Sequence, residues 1–166
     1  MTDGPQGEYL TDREADEACR FIEEQRDRPF FLYLARYCVH MPLQAKQGLT
    51  ERYRQKVTPG MRHTNATYAA MIHSLDESVG RLMKKLDELG LTDNTVVCFT
   101  SDDGGLIGGG KQHVTSNVPL RAGKGSAYEG GVRVPLIVRW PGVTAPRSTC
   151  GEAVIGIDYF PTLLAI

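Results

Sequence analysis

The chain has 166 residues, 41% hydrophobic and 23% charged, with 19 Lys and Arg against 20 Asp and Glu and a formal net charge of −1. That length sets a prior of one domain, able to bury roughly two-thirds of its unfolded surface. The balanced charge argues against a general nucleic-acid or membrane-surface binder, and no apolar run approaches the roughly 18 residues of a membrane span.

Met1 to Gln6 is polar and contains Gly4 and Pro5, unlike a signal peptide or an anchor. Thr11 and Glu14 have capping-box spacing and predict a helix running through Cys19 and Ile22 to about Arg26. Pro29 introduces Phe30-Phe31-Leu32-Tyr33-Leu34-Ala35, a continuous apolar run that reads as a buried strand. A helix is expected from near Asn65, with Tyr68, Met71, Ile72, Leu75, Val79, Leu82, Met83, Leu86 and Leu89 on one face and Gly90 as its C-cap. Thr95 to Thr100 reads as a second buried strand, ending abruptly at Ser101-Asp102-Asp103-Gly104-Gly105. Residues 101 to 133 are glycine-rich and without period, which inside a domain points to a functional loop or to disorder. Val134 to Arg139 reads as a third strand, closed by the turn Trp140-Pro141-Gly142, and Ala153 to Ile157 as a fourth. Asp158 is expected to cap a final helix with Pro161 in its first turn. Alternating helices and buried strands predict an α/β layered fold with a mostly parallel sheet. The four cysteines are too scattered for a disulfide scaffold or a zinc site, so they do not fix a compartment.

In open α/β sheets ligands gather at the carboxyl ends of strands. Asp102 and Asp103 follow the second strand directly, and two adjacent carboxylates before two glycines suit a hard cation such as Ca²⁺ or, less well, Mg²⁺. The same dipeptide also suits an ordinary acidic turn. His40, in Cys38-Val39-His40-Met41-Pro42, follows the first strand, where Pro42 restricts Met41 and so the loop that aims the imidazole. A histidine there suits anion binding or protonation of a leaving group, although a lone loop histidine is more often structural. Gly105 to Lys111 has G-x-x-x-x-G-K spacing, but Gln112 replaces the Ser or Thr of a phosphate loop, and Gly123-Lys124-Gly125 lacks both the upstream glycine and the hydroxyl residue. Lys124 between glycines still suits close approach of an anion to its ammonium and to backbone N–H groups.

In their order and spacing these segments resemble the sulfatase family, within the alkaline-phosphatase-like superfamily. The resemblance is carried by FFLYLARYCVHMP (30–42), DESVGRLMKKLDELG (76–90), DNTVVCFTSDDGG (93–105) and PLRAGKGSAYEGGVRVPLIVRWPG (119–142), and it extends to the terminal GIDYFPTLL. It is nearest to arylsulfatases and N-acetylgalactosamine-6-sulfatase-like enzymes. It implies an α/β/α sandwich, of which residues 1–166 would be one part, and a sulfuric ester hydrolase activity on a sulfate-ester small molecule or sulfated glycan. It further implies Ca²⁺ at Asp102 and Asp103, sulfate binding by Lys124, and contact of His40 with the sulfate or leaving group. His113, in the loop between the blocks, is a subsidiary candidate for the sulfate site. Glu129 and Arg133 are expected to form an internal ion pair shaping their loop. The family's formylglycine nucleophile arises in a C/S-x-P/A-x-R motif, which no cysteine or serine of this chain begins. Nor does an early Asp pair precede Glu8. The expectation is therefore a partial catalytic domain, inactive alone, whose partner would be the rest of its own domain. Asp103 stands where the family has Asn, adding a negative charge at the metal. A periplasmic, secreted or lysosome-like setting is implied without being fixed. The alternatives are a phosphodiesterase or phosphonate hydrolase of the same superfamily, or a non-catalytic remnant.

Overall fold

A computed structural model describes residue 5 and residues 7–108 and 113–166. The elements in chain order are α1 (Leu10–Glu24), α2 (Gln47–Arg54), α3 (Ala66–Glu88), a 3-10 turn (Thr92–Asn94), β1 (Val97–Thr100), the single turn α4 (Glu129–Val132), β2 (Leu136–Arg139) and α5 (Gly156–Leu164). The core lies where α1 packs on α3, and α2, which buries no residue of its own, lies against α3. α1 presents Thr11, Ala15, Ala18 and Ile22, and α3 presents Ala70, Met71, Ser74, Ser78 and Leu86. Most of these side chains are small, so the two backbones approach closely. The buried hydroxyls of Ser74 and Ser78 are satisfied within their own helix, by Ala70 O and Leu75 O. Around the apolar seam run ion pairs between the same helices, Arg81 with Asp16 and Lys85 with Glu23.

α3 begins and ends where its punctuation predicts. The Asn65 side chain accepts from Tyr68 N, and Gly90, at φ +68°, turns the chain out with Leu91 N donating to Leu86 O and Gly90 N to Asp87 O. Its buried face differs in part from the expected one: Ile72 is exposed, and Ser74 and Ser78 are buried in its place. The capping box at Thr11 does not form. Tyr9 occupies the N-cap, and Thr11 lies on the buried stripe that continues to Ala15, Ala18 and Ile22. Glu14 instead accepts from Tyr37 N and faces Arg36.

The run Phe30 to Ala35 is extended but is not a buried strand. Its burial alternates: Phe31 and Tyr33 are 69% and 80% exposed, while Phe30 stacks edge-on against Phe21 of α1. A ladder needs a neighbour, and among the described residues none pairs with this segment. The strands that do pair, β1 and β2, run antiparallel with Val97 opposite Arg139 and Thr100 opposite Leu136, against the mostly parallel expectation. A parallel pair requires a crossover, usually a helix laid on the sheet. Here the described parts of the connection, residues 101–108 and 113–135, fold back on each other. The α/β class holds. The fourth strand expected at Ala153 to Ile157 is absent, because helix α5 already starts at Gly156. Asp158 lies in its first turn rather than at its cap and accepts from Ile155 N at 2.8 Å.

Candidate active site

The described parts of the glycine-rich connection, residues 101–108 and 113–135, are held to one another by their own backbone. Gly104 N donates to Gly131 O, Gly130 N to Arg121 O, and Lys124 N to Gly105 O. The Asn117 amide crosses between strands of the loop, donating to Gly105 O at 2.8 Å and Ala122 O at 3.1 Å. Glycine is required because these segments touch backbone to backbone. A Cβ on Gly104 would lie 1.8 Å from Gly130 O, and one on Gly130 would lie 2.0 Å from Ala122 O.

This folding brings together residues 21 positions apart. Lys124 Nζ lies 3.1 Å from Asp103 Oδ2, with both side chains about one-third exposed. The turn after β1 is shaped by Ser101 Oγ, which donates to Asp103 O. Asp102, beside it, is exposed. A hard divalent cation takes six or more oxygen ligands. The adjacent carboxylates of Asp102 and Asp103 are oxygen donors of that kind, and an ammonium already neutralises one of them. The donor chemistry therefore fits Ca²⁺, as part of a coordination sphere only. Among the described residues no cluster of three or more His, Cys, Asp or Glu side chains occurs.

His40 stands apart from this pair. Its Nδ1 lies 2.9 Å from Met41 O, and its ring packs at 5.3 Å against Tyr37, whose hydroxyl donates to the same carbonyl. Donation from Nδ1 leaves Nε2 as the nitrogen for a ligand. No hydrogen bond or ion pair among the described residues joins His40 to Asp102, Asp103 or Lys124. His113 is exposed, and its carbonyl accepts from the Asn65 side chain at 3.4 Å. An open groove of about 370 Å³, lined by Met41, Leu43, Asn65 and Thr67, lies between the His40 loop and that contact. Glu129 and Arg133 do pair, at 3.4 Å, but both are about two-thirds exposed, so the pair is a surface one rather than internal. Lys111 and Gln112 lie outside the described residues.

Asn117 was not singled out in the sequence, yet it ties Gly105 to Ala122 beside Lys124. Only its position between two glycine runs could have pointed to it. α2 was likewise unforeseen, because its eight residues have no apolar stripe. It is held to α3 through the Tyr53 hydroxyl and His73 Nδ1, 3.1 Å apart.

The sulfatase family model matches residues 2–166. A sulfatase of Formosa agariphila is 40% identical over 95% of this chain, and the N-acetylgalactosamine-6-O-sulfatase of Bacteroides thetaiotaomicron is 36% identical over 96%. The solved structure of Ps i-CgsB in complex with k-i-k-neocarrahexaose superposes with a TM-score of 0.72 at 37% identity, covering 85% of this chain and 30% of that one. The chain spans 30% of the length of each of the two curated relatives. With the family model matched over residues 2–166, the chain belongs to the sulfatase family.

Proposed function

We propose that residues 1–166 supply one wall of the active site of a calcium-dependent sulfuric ester hydrolase acting on sulfated glycans. The observation that carries this reading is the Asp103–Lys124 pair on a loop whose backbone is fixed by glycine contacts. Asp102 and Asp103 would hold Ca²⁺, which when bound would supply positive charge to offset negative charge developing on the sulfate oxygens. Lys124 presents its ammonium to a sulfate oxygen, and backbone N–H groups of its loop are already committed to carbonyls that keep the ammonium in place. His40, held through Nδ1, in its doubly protonated imidazolium form offers Nε2–H to the departing alcohol oxygen and is left as the neutral imidazole. The nucleophile would come from a C/S-x-P/A-x-R segment that this chain does not contain. The sulfated-glycan class rests on two relatives, an N-acetylgalactosamine-6-O-sulfatase and a protein crystallised with a neocarrahexaose. The two curated relatives are sulfatases by name, which favours this reading over a phosphodiesterase, a phosphonate hydrolase or a non-catalytic remnant.

The chain with Ca²⁺ alone is expected to give no turnover of 4-nitrophenyl sulfate. Supplying a segment with the missing motif, in cis or in trans, is expected to give sulfate-ester hydrolysis exceeding phosphodiester hydrolysis. Lys124→Ala should lower kcat by about 10²–10³, the loss typical of one charge-stabilising donor. Turnover by the chain alone, a preference for phosphodiesters, or full activity in K124A would each overturn the reading.

A further inference from the structure

Acidic and basic residues are nearly balanced overall, yet they are segregated along the chain. Residues 52–75 contain Arg52, Arg54, Lys56 and Arg62 but no Asp or Glu, and residues 104–128 contain Lys111, Arg121 and Lys124 but no Asp or Glu. The fold packs these two acid-free stretches against each other. Arg62 Nη1 donates to Val118 O at 3.3 Å, His63 Nδ1 lies 3.3 Å from Thr115 Oγ1, and Asn65 Nδ2 donates to His113 O. From Val118 the surface continues through Asn117, bonded to Gly105 and Ala122, to the loop that carries Lys124. Arg121 lies on this loop with its guanidinium 3.7 Å from the centre of the half-exposed Tyr128 ring. Arg62 and Arg121 have no carboxylate partner among the described residues. Glu129, at the border of the second stretch, is occupied by Arg133.

Two exposed guanidiniums without a carboxylate partner among the described residues, one held by a carbonyl and one over an aromatic face, have N–H donors left for an external anion. Guanidiniums suit a planar or tetrahedral oxyanion, and Arg121 follows three residues after Val118, whose carbonyl Arg62 holds. We propose that Arg62 and Arg121, with His63 beside them, form a second anion subsite for a further sulfate or carboxylate of the same glycan. The scissile sulfate would sit at Lys124. The substrate class is thereby narrowed to multiply charged glycans rather than singly sulfated ones. This inference rests on the reading of Lys124 as a sulfate contact.

The test measures binding of the folded chain, with Ca²⁺ and at low salt, to two oligosaccharides of equal length, one singly and one multiply sulfated. The multiply sulfated ligand is expected to bind at least tenfold tighter. Arg62→Gln with Arg121→Gln should bring the two within about twofold, the surplus being electrostatic. Arg62→Lys, which keeps the charge, should retain most of the preference. Arg20→Gln with Lys84→Gln removes the same net charge from helix surfaces where those cations face Glu17 and Glu88, and it should leave the preference intact. Equal binding of the two ligands, survival of the preference in R62Q/R121Q, or an equal loss in R20Q/K84Q would overturn the subsite. If Lys124→Gln left binding of the singly sulfated ligand unchanged, the reading of Lys124 would fail, whereas the R62Q/R121Q result would still decide the anion subsite. A chain that bound neither ligand would overturn both.

Discussion

Residues 10–90 and residues 97–139 are held together by different means. In the helical layer small and apolar side chains do the packing, with Ala15, Ala70 and Ser74 wholly removed from solvent. In the loop-and-strand region few side chains are buried, and the order comes from main-chain hydrogen bonds between glycines and from one asparagine amide. The outer faces of this second region stay apolar and open, including Val132 and Ile137, and beyond it Ile157, Phe160 and Leu164 of α5. The difference teaches where tolerance lies. A side-chain core absorbs a substitution by local repacking, whereas a backbone-to-backbone contact has no rotamer to yield.

The largest expected effect follows from that contrast. Gly130→Ala would place a methyl 2.0 Å from the Ala122 carbonyl oxygen, so the loop must open. The cost is expected to reach or pass the upper end of the roughly 1–3 kcal/mol typical of overpacking. Anion binding at Lys124 should be lost while far-UV helical signal persists, because α1 and α3 bury their shared face against each other and meet the loop through the segment Arg62 to Asn65 ahead of α3. Retention of sulfate binding in G130A would break the comparison. A smaller effect is expected in the helical layer from Glu14→Gln. Glu14 and Arg36 face each other at 3.8 Å with side chains only 17% and 10% exposed, and burial already lowers the Arg36 pKa, with Glu14 opposing. Both guanidinium Nη atoms and Glu14 Oε2 lack a hydrogen-bond partner. Removing the carboxylate charge leaves the cation uncompensated, which costs roughly 3–5 kcal/mol in a fully buried pair and here about 2 kcal/mol. Urea unfolding of E14Q against wild type measures it, and a loss below about 0.5 kcal/mol would show the pair to be no more than a surface contact.

How much of this was legible depended on whether the cause was local. α3 was delimited by Asn65 and Gly90, because capping is decided by residues within one turn. Its buried face was misjudged at Ile72 and Ser74, since hydrophobicity does not encode how closely another helix approaches. Phe30 to Ala35 showed its extended character, but strand pairing is a property of two segments, and the partner is not in this run. The antiparallel return of β2 to β1 depends on how some 35 intervening residues fold, and no period in them announced it. Asp103 and Lys124 were marked by their place at a strand end and by family resemblance. Their contact was not derivable from spacing, because it is delivered by glycine packing between Gly104, Gly130 and Ala122.

The smallest expected effect concerns pH, and it falls on the helical layer again. Cys38 is part-buried and its thiol donates to Met71 O at 3.4 Å. Burial raises its pKa above the usual 9.0, and the Glu14 carboxylate adds to this, while the Thr11 hydroxyl and the Arg36 guanidinium oppose it. Cys19, Tyr9 and Tyr68, in or against the same layer, are raised by burial too, and the strand region adds Cys98. A raised pKa for an acid means that the folded chain holds its proton where the unfolded chain has lost it. Stability from these groups is therefore complete below the unfolded value and declines as pH rises through the folded one. Wild-type urea midpoints should be level from neutrality to about pH 9 and fall beyond it. Cys38→Ala should fall less steeply in that window, without becoming flat, because four other groups titrate in the same direction. If C38A and wild type lost stability in parallel as pH rises above 9, the usual thiol value, the Cys38 proton would not be held by the fold, and the helical layer would be less dry than its packing indicates.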